Sequence, residues 1–348
     1  SHKIYPIGIQ NFESLRQDGY FYIDKTALMY QMVKTGRYYF LSRPRRFGKS
    51  LLVSTLEAYF QGKKELFEGL AVEKLEKDWI KYPILHLDLN IEKYDTPESL
   101  DKILNDNLEY WESQYGTRPS ETSFSLRFAG IIQRACEKTG QRVVILVDEY
   151  DKPMLQAIGN EELQKQFRDT LKPFYGALKT KDGYIKFAFL TGVTKFGKVS
   201  VFSDLNNLDD ISMWNEYVEI CGISEREIHN NLETELHEFA AARGITYDKL
   251  CEELRECYDG YHFTHNSIGM YNPFSLLNAF KRKDFGSYWF ETGTPTYLVK
   301  LLQKHHYDLE RMAREETDAQ VLNSIDSEST NPIPVIYQSG YLTIKGYD

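Results

Sequence analysis

The chain has 348 residues, 42% hydrophobic and 27% charged, and its 51 acidic against 42 basic residues give a formal charge of −9. This balance fits a globular chain with a substantial core and excludes intrinsic disorder, collagen and coiled coil. It also argues against a chain-wide coat for nucleic acid, although a local basic groove stays compatible with it.

No run approaches the ~20 consecutive apolar residues of a membrane helix, and the first residues lack the layout of a signal peptide, so a cytoplasmic protein without a membrane partner is expected. Cys136, Cys221, Cys251 and Cys257 form no Cys-x-x-Cys pair and read as reduced, mostly buried thiols.

In chain order, five runs rich in Val, Ile, Phe, Tyr and Leu predict buried strands at 37–42, 83–89, 142–147, 184–191 and 216–221. Helical patterns separate them. Leu52, Leu56, Tyr59 and Phe60 follow the first run at helical spacing, and Leu163, Phe167, Leu171, Phe174 and Leu178 lie between the third and fourth. Alternating strand and helix implies right-handed crossovers and a mainly parallel five-stranded sheet covered on both faces. The expected fold class is therefore α/β, a P-loop NTPase domain over residues 3–222.

From 223 to 348 a smaller, mostly helical domain is expected, with a winged-helix-like arrangement as one option. Ser224-Glu225-Arg226-Glu227 predicts a capping box for a helix with Ile228, Leu232, Leu236 and Phe239 on its apolar stripe. Further helices are expected at 246–258, at 273–283 with Asn272 as cap and Pro273 at its first position, and at 294–304. Residues 334–344 alternate like a strand pair around Ser339-Gly340.

Where the first strand gives way to a helix stands Arg43-Pro44-Arg45-Arg46-Phe47-Gly48-Lys49-Ser50-Leu51, which closes on the Gly-Lys-Ser of a phosphate-binding (Walker A) loop. Gly48 lets backbone N–H groups wrap a phosphate, Lys49 reaches the β and γ phosphates, and Ser50 offers a hydroxyl to Mg²⁺. The pattern usually opens with Gly six positions before the Lys; here that residue is Arg43.

About a hundred residues on, Val143–Val147 runs into Asp148-Glu149. Paired carboxylates at the tip of a buried strand are expensive to desolvate unless a metal or a basic partner compensates. The pair therefore reads as a Walker B site, with Asp148 and Ser50 holding Mg²⁺ and Glu149 polarising water. The plainer alternative is an exposed acidic turn.

The fourth strand ends in Thr191-Gly192-Val193-Thr194-Lys195, and a hydroxyl there would reach the γ-phosphate if this strand lay between the first and third. Thr191 is the candidate sensor, with Thr194 equally eligible and a simple Thr-Gly turn as the structural alternative. For the positive charge that phosphoryl transfer needs, Arg46 and Arg45 rank first; Arg168 and Lys172 read as a solvated helix face.

These stretches, together with Tyr22-Ile23-Asp24-Lys25-Thr26, Val147–Pro153, Leu190–Phe196, Tyr258–Phe263 and Tyr271-Asn272-Pro273, resemble the predicted AAA-ATPase-like family of bacterial proteins. The resemblance spans nearly the whole chain, and it accounts for Arg43, because the family carries arginine at that position. Members often continue past a stretch like Gln338–Ile344 into a restriction-endonuclease-like domain, so the resemblance implies that such a domain is missing here.

The expectation is thus an ATPase using ATP and Mg²⁺ as a nucleotide-driven switch. Lys49 and the loop 43–51 bind phosphate, Ser50 and Asp148 hold the metal, and Glu149, Thr191 and Arg46 assist hydrolysis. The alternative is a nucleotide-gated module with little hydrolysis that regulates a nuclease or a protein partner. A nucleic-acid motor is a third reading, disfavoured by the acidic balance.

Overall fold

The computed structural model describes residues 2–90, 93–258, 262–263 and 269–285. Helices α1 (Phe12–Gln17) and α2 (Thr26–Thr35) precede β1 (Tyr38–Ser42); α3 (Lys49–Phe60) and α4 (Ala71–Leu75) lead to β2 (Ile84–Asp88). Helices α5 (Pro97–Tyr115) and α6 (Phe124–Thr139) lead to β3 (Val143–Asp148), and α7 (Lys152–Gln156) and α8 (Glu161–Thr180) to β4 (Ile185–Gly192). Helix α9 (Lys198–Val201) precedes β5 (Asp209–Asp210). The sheet runs β2-β3-β4-β1-β5, and every neighbouring pair is parallel.

The first four expected strands fall on β1 to β4. Their apolar runs lack polar alternation because both faces are covered. Val143, Ile145 and Val147 of β3 face one core with Leu104, Phe128, Leu171 and Phe174 from α5, α6 and α8. Val144 and Leu146 face the other, with Leu52, Val53 and Leu56 from α3. Phe128 and Phe174 stack with centroids 4.3 Å apart, which locks α6 to α8.

The expected fifth strand at 216–221 is instead a 3₁₀ segment, Asn215–Ile220, that buries Tyr217, Val218 and Ile220. A short apolar run reports burial and not the backbone state, so periodicity could not separate the two. The fifth strand is the acidic pair Asp209–Asp210, which no strand propensity marks; it lies beside Tyr39 and Phe40 of β1. Asp210 is held there by Lys195 at 2.6 Å and Lys198 at 2.9 Å.

Beyond the sheet come β6 (Ile223–Ser224), α10 (Glu225–Arg243), α11 (Tyr247–Tyr258), β7 (Met270–Tyr271) and α12 (Pro273–Arg282). The capping box is present: the Ser224 hydroxyl accepts from the Glu227 N–H, and the Glu227 carboxylate accepts from the Ser224 N–H. Ile228, Leu232, Leu236 and Phe239 are buried as expected. The strand signal does not end at 222, because β6 and β7 pair antiparallel, but two-residue strands leave no periodic trace. The segments 294–304 and 334–344 lie outside the described residues. Cys221 and Cys251 are buried, whereas Cys257 is exposed. No helix among the described residues is long and apolar enough to cross a membrane.

The helical unit grips the sheet domain near the Gly-Lys-Ser loop. Lys25 donates to Glu227 at 2.7 Å and to the Glu219 carbonyl at 2.7 Å. Phe47 packs with Val218, Phe263 and Met270. Gly222 makes room for this packing: at φ +91°, a Cβ there would lie 3.0 Å from the Phe47 ring and 3.2 Å from Met270. We expect Gly222→Ala to lower unfolding stability by about 1–3 kcal/mol in urea titration, from left-handed strain plus overpacking. An unchanged midpoint would contradict this packing.

Candidate nucleotide site

The expected functional residues converge beyond the carboxyl ends of β1, β3 and β4. Because β4 lies between the other two, Ser42 pairs with Gly192, and Thr191 comes beside the tip of β3. The Arg43 N–H continues the ladder by donating to the Gly192 carbonyl at 3.2 Å. Gly48 then takes φ +89° and turns the chain into α3. A Cβ at Gly48 would meet no protein atom, so the glycine serves the backbone turn and leaves open space above it.

Asp148, 5% exposed, is shared by two hydroxyls. Ser50 donates to Oδ2 at 2.7 Å, and Thr191 donates to Oδ1 at 2.9 Å. Lys49 donates to the carbonyls of Arg43 at 2.8 Å and Pro44 at 3.3 Å, and its ammonium lies 3.6 Å from Glu149. A hydroxyl and a carboxylate side by side, both oxygen donors, suit a hard divalent cation, and Lys49 beside them supplies charge for an anion.

A cavity of about 270 Å³ opens here, bounded by Arg45, Arg46, Gly48, Lys49, Ser50 and Leu51 of the loop and by Glu149. Its other walls are the segment 6–10, Asn90, and Pro273, Phe274 and Leu277 of α12. Arg46 and Glu149 both have left-handed φ, +65° and +58°, as do two further non-glycine residues among those described. Strain of this kind costs about 1–3 kcal/mol per residue and gathers at functional sites.

Not every expected residue turns toward the cavity. The Arg43 side chain is buried, donates to the Ser42 and Ser212 carbonyls, and lies with its guanidinium 4.1 Å from the Phe263 ring centroid. Phe47 is equally buried, and neither it nor Pro44 lines the cavity. Between the two threonines the geometry differs: Thr191 reaches Asp148, whereas the Thr194 N–H and hydroxyl both donate to Asp151, at 2.6 and 2.7 Å. Asp24 accepts from Thr26 and Ala71 and does not line the cavity.

Three contributors escape sequence reasoning. Asp151 is fully buried and pins the end of β4 to the segment after β3; it falls within the Val147–Pro153 resemblance, but nothing in the residues themselves gives it a role. Asn272 caps α12 as expected, accepting from Ser275 at 3.1 Å, but its amide also donates to the Arg45 carbonyl at 3.1 Å. The Phe274 ring lies 3.9 Å from the Arg46 guanidinium. The last two contacts span more than 220 residues of sequence, and no local pattern reports them.

Burial pushes the Glu149 carboxyl up to about 7; Lys49 opposes the shift, and Asp151 and Asp148 add to it. The sign follows from linkage. The folded state keeps a proton that the unfolded chain releases at the ordinary value of 4.5, so this group's contribution to stability declines as pH rises from about 4.5 to about 7. Glutamine carries no such proton. We expect the melting temperature of Glu149→Gln, relative to the parent chain, to rise by a few degrees between about pH 5 and about pH 8. A pH-independent difference would contradict the shift.

Residues 6–202 match the family described as predicted AAA-ATPase. An uncharacterized protein in the vnfD 5′ region of Azotobacter chroococcum mcd 1 is 38% identical over 346 residues, covering 99% of this chain; the chain spans 64% of that relative's length. No solved structure matches. The matched residues include the loop, both acids and the threonine strand, and the chain belongs to the predicted AAA-ATPase family.

Proposed function

We propose that this chain binds ATP with Mg²⁺ and hydrolyses it, working as a nucleotide-driven switch. The observation that carries the reading is the sharing of Asp148 by Ser50 and Thr191 beside the Lys49–Glu149 pair: Lys49, Ser50 and Glu149 line the cavity, while Asp148 and Thr191 are buried and joined to it through the Ser50 hydroxyl. Mg²⁺, when bound, supplies charge neutralisation at the β and γ phosphate oxygens. Ser50 and Asp148 are the residues that would hold it. Lys49 exchanges its carbonyl and carboxylate contacts for phosphate oxygens, and the loop amides before α3 add their dipoles.

Glu149 is then released from Lys49 and orients the attacking water, taking its proton as the β–γ phosphoanhydride bond breaks. Its raised pKa suits a group that must accept a proton near neutral pH. Thr191 keeps the Asp148 carboxylate aimed. The base has an adjoining apolar cavity of about 90 Å³, lined in part by Tyr22, Ile23, Leu51, Cys221 and Leu277. Arg46, stacked on Phe274, is the cation best placed to follow the γ-phosphate and carry its loss to α12.

The same contacts favour a second reading, a nucleotide-gated binding module with little turnover. Four loop residues touch the helical unit: Arg43 through Phe263, Arg45 through Asn272, Arg46 through Phe274, and Phe47 through Phe263 and Met270. Such coupling would gate a protein partner, or a domain beyond this chain, without rapid hydrolysis.

Phosphate release distinguishes the two. The ATPase reading expects turnover by the parent chain and a loss of at least about 100-fold in both Lys49→Ala and Glu149→Gln. Glu149→Gln should still gain thermal stability with Mg-ATP by mass action, whereas Lys49→Ala should not. Equal background rates in all three proteins would overturn hydrolysis, and no stabilisation of the parent chain by any nucleoside triphosphate would overturn both readings.

A further inference from the structure

At the end of the sheet opposite the nucleotide cavity, four of the five strands begin in or just after basic residues, whereas the edge strand β5 is the acidic pair Asp209–Asp210. In spatial order, Lys81 precedes β2, Arg142 precedes β3, Lys186 opens β4 and Arg37 precedes β1. With strands about 4.8 Å apart, the four cations form a row about 14 Å long. Lys34, at the end of α2, and Lys181, just before β4, flank it.

Phenol rings alternate with the charges. Lys186 lies 5.7 Å from the Tyr82 ring centroid, Lys181 5.7 Å from Tyr184, Arg37 5.2 Å from Tyr38 and Lys34 5.2 Å from Tyr30. Four cation–ring contacts thus lie along this one edge.

Four acids lie near the row: Glu76 pairs with Lys34 at 3.4 Å and Asp182 with Arg37 at 3.5 Å, Asp78 lies near Tyr82, and Asp209 lies beside Tyr39. Among the described residues, Lys81, Arg142 and Lys186 have no ion-paired acid. Lys81 and Arg142 are exposed. Burial, and then repulsion from Arg142 and Lys34, pulls the Lys186 ammonium below the ordinary lysine range, with Glu76 opposing the shift. In a chain of net charge −9, a local positive row has to be held against the average field.

We propose that the row Lys81, Arg142, Lys186 and Arg37 binds single-stranded nucleic acid. A linear series of cations matches a phosphate backbone. The half-buried rings of Tyr82 and Tyr184 beside it offer the stacking surface that sequence-tolerant single-strand binders pair with a basic track. Strand β3 joins this row to Asp148 across about 20 Å, so the two sites share a strand but no residues. The surface does not depend on the nucleotide reading.

The test is fluorescence anisotropy of the 348-residue chain with a labelled oligothymidylate of about 12 nucleotides, from about 25 to about 200 mM salt. Three or four phosphate contacts predict a slope of log K against log salt of about −2 to −3. Replacing both residues, Arg142→Ala with Lys186→Ala, should weaken binding at least about 10-fold and make the slope shallower by about 1.4, and Arg142→Lys should retain binding. An unchanged melting temperature and an unchanged response to Mg-ATP identify that loss as local. Absence of binding at low salt, or equal binding by the double variant, would overturn the proposal. Equal competition by a polyglutamate of matched charge would also overturn it and reassign the row to an acidic protein segment.

Discussion

Asp148 lies nearly buried at the tip of β3, and each of its carboxylate oxygens accepts a hydroxyl, from Ser50 at 2.7 Å and from Thr191 at 2.9 Å. A carboxylate in that position is costly to desolvate, and two convergent donors offset much of the cost. The donors come from different strands: Ser50 follows β1, and Thr191 is part of β4. With β4 lying between β1 and β3, Thr191 stands beside the tip of β3 while Ser50 still reaches Asp148 across it.

The loop itself departs from the glycine-opened pattern, and the structure shows what replaces the glycine. The Arg43 guanidinium fills space behind the loop, bonded to the Ser42 and Ser212 carbonyls and stacked on Phe263. Ser212 in turn receives the Ser42 N–H and donates to Asp210, which Lys195 and Lys198 hold in place. The first residue of the loop is thus tied to the end of β4 through a buried polar chain. Its later residues are tied to α12 through Asn272 and Phe274. The loop is thus fastened at one end to the sheet and at the other to α12.

Much of this was readable beforehand, for physical reasons that can be named. Strands β1 to β4 are buried on both faces and announce themselves as unbroken apolar runs. Gly48-Lys49-Ser50 and Asp148-Glu149 carry their chemistry in adjacent residues, and Ser224–Glu227 and Asn272-Pro273 carry their caps the same way. The failures share a cause. Residues 216–221 look like a strand because burial, not backbone geometry, writes an apolar run, and Asp209–Asp210 joins the sheet through its neighbours and not through its own propensity. Asp151, Phe274 and the second bond of Asn272 act through contacts that only the folded chain creates.

The most direct measurement is a crystal structure of the chain with Mn²⁺ and a non-hydrolysable ATP analogue, read by anomalous scattering at the manganese edge. The expected result is one strong peak bonded to the Ser50 hydroxyl, close to the Asp148 carboxylate, with the γ-phosphate against Lys49 and Glu149 turned away from it. A peak elsewhere, or a nucleotide bound outside the cleft between the loop and α12, would contradict it.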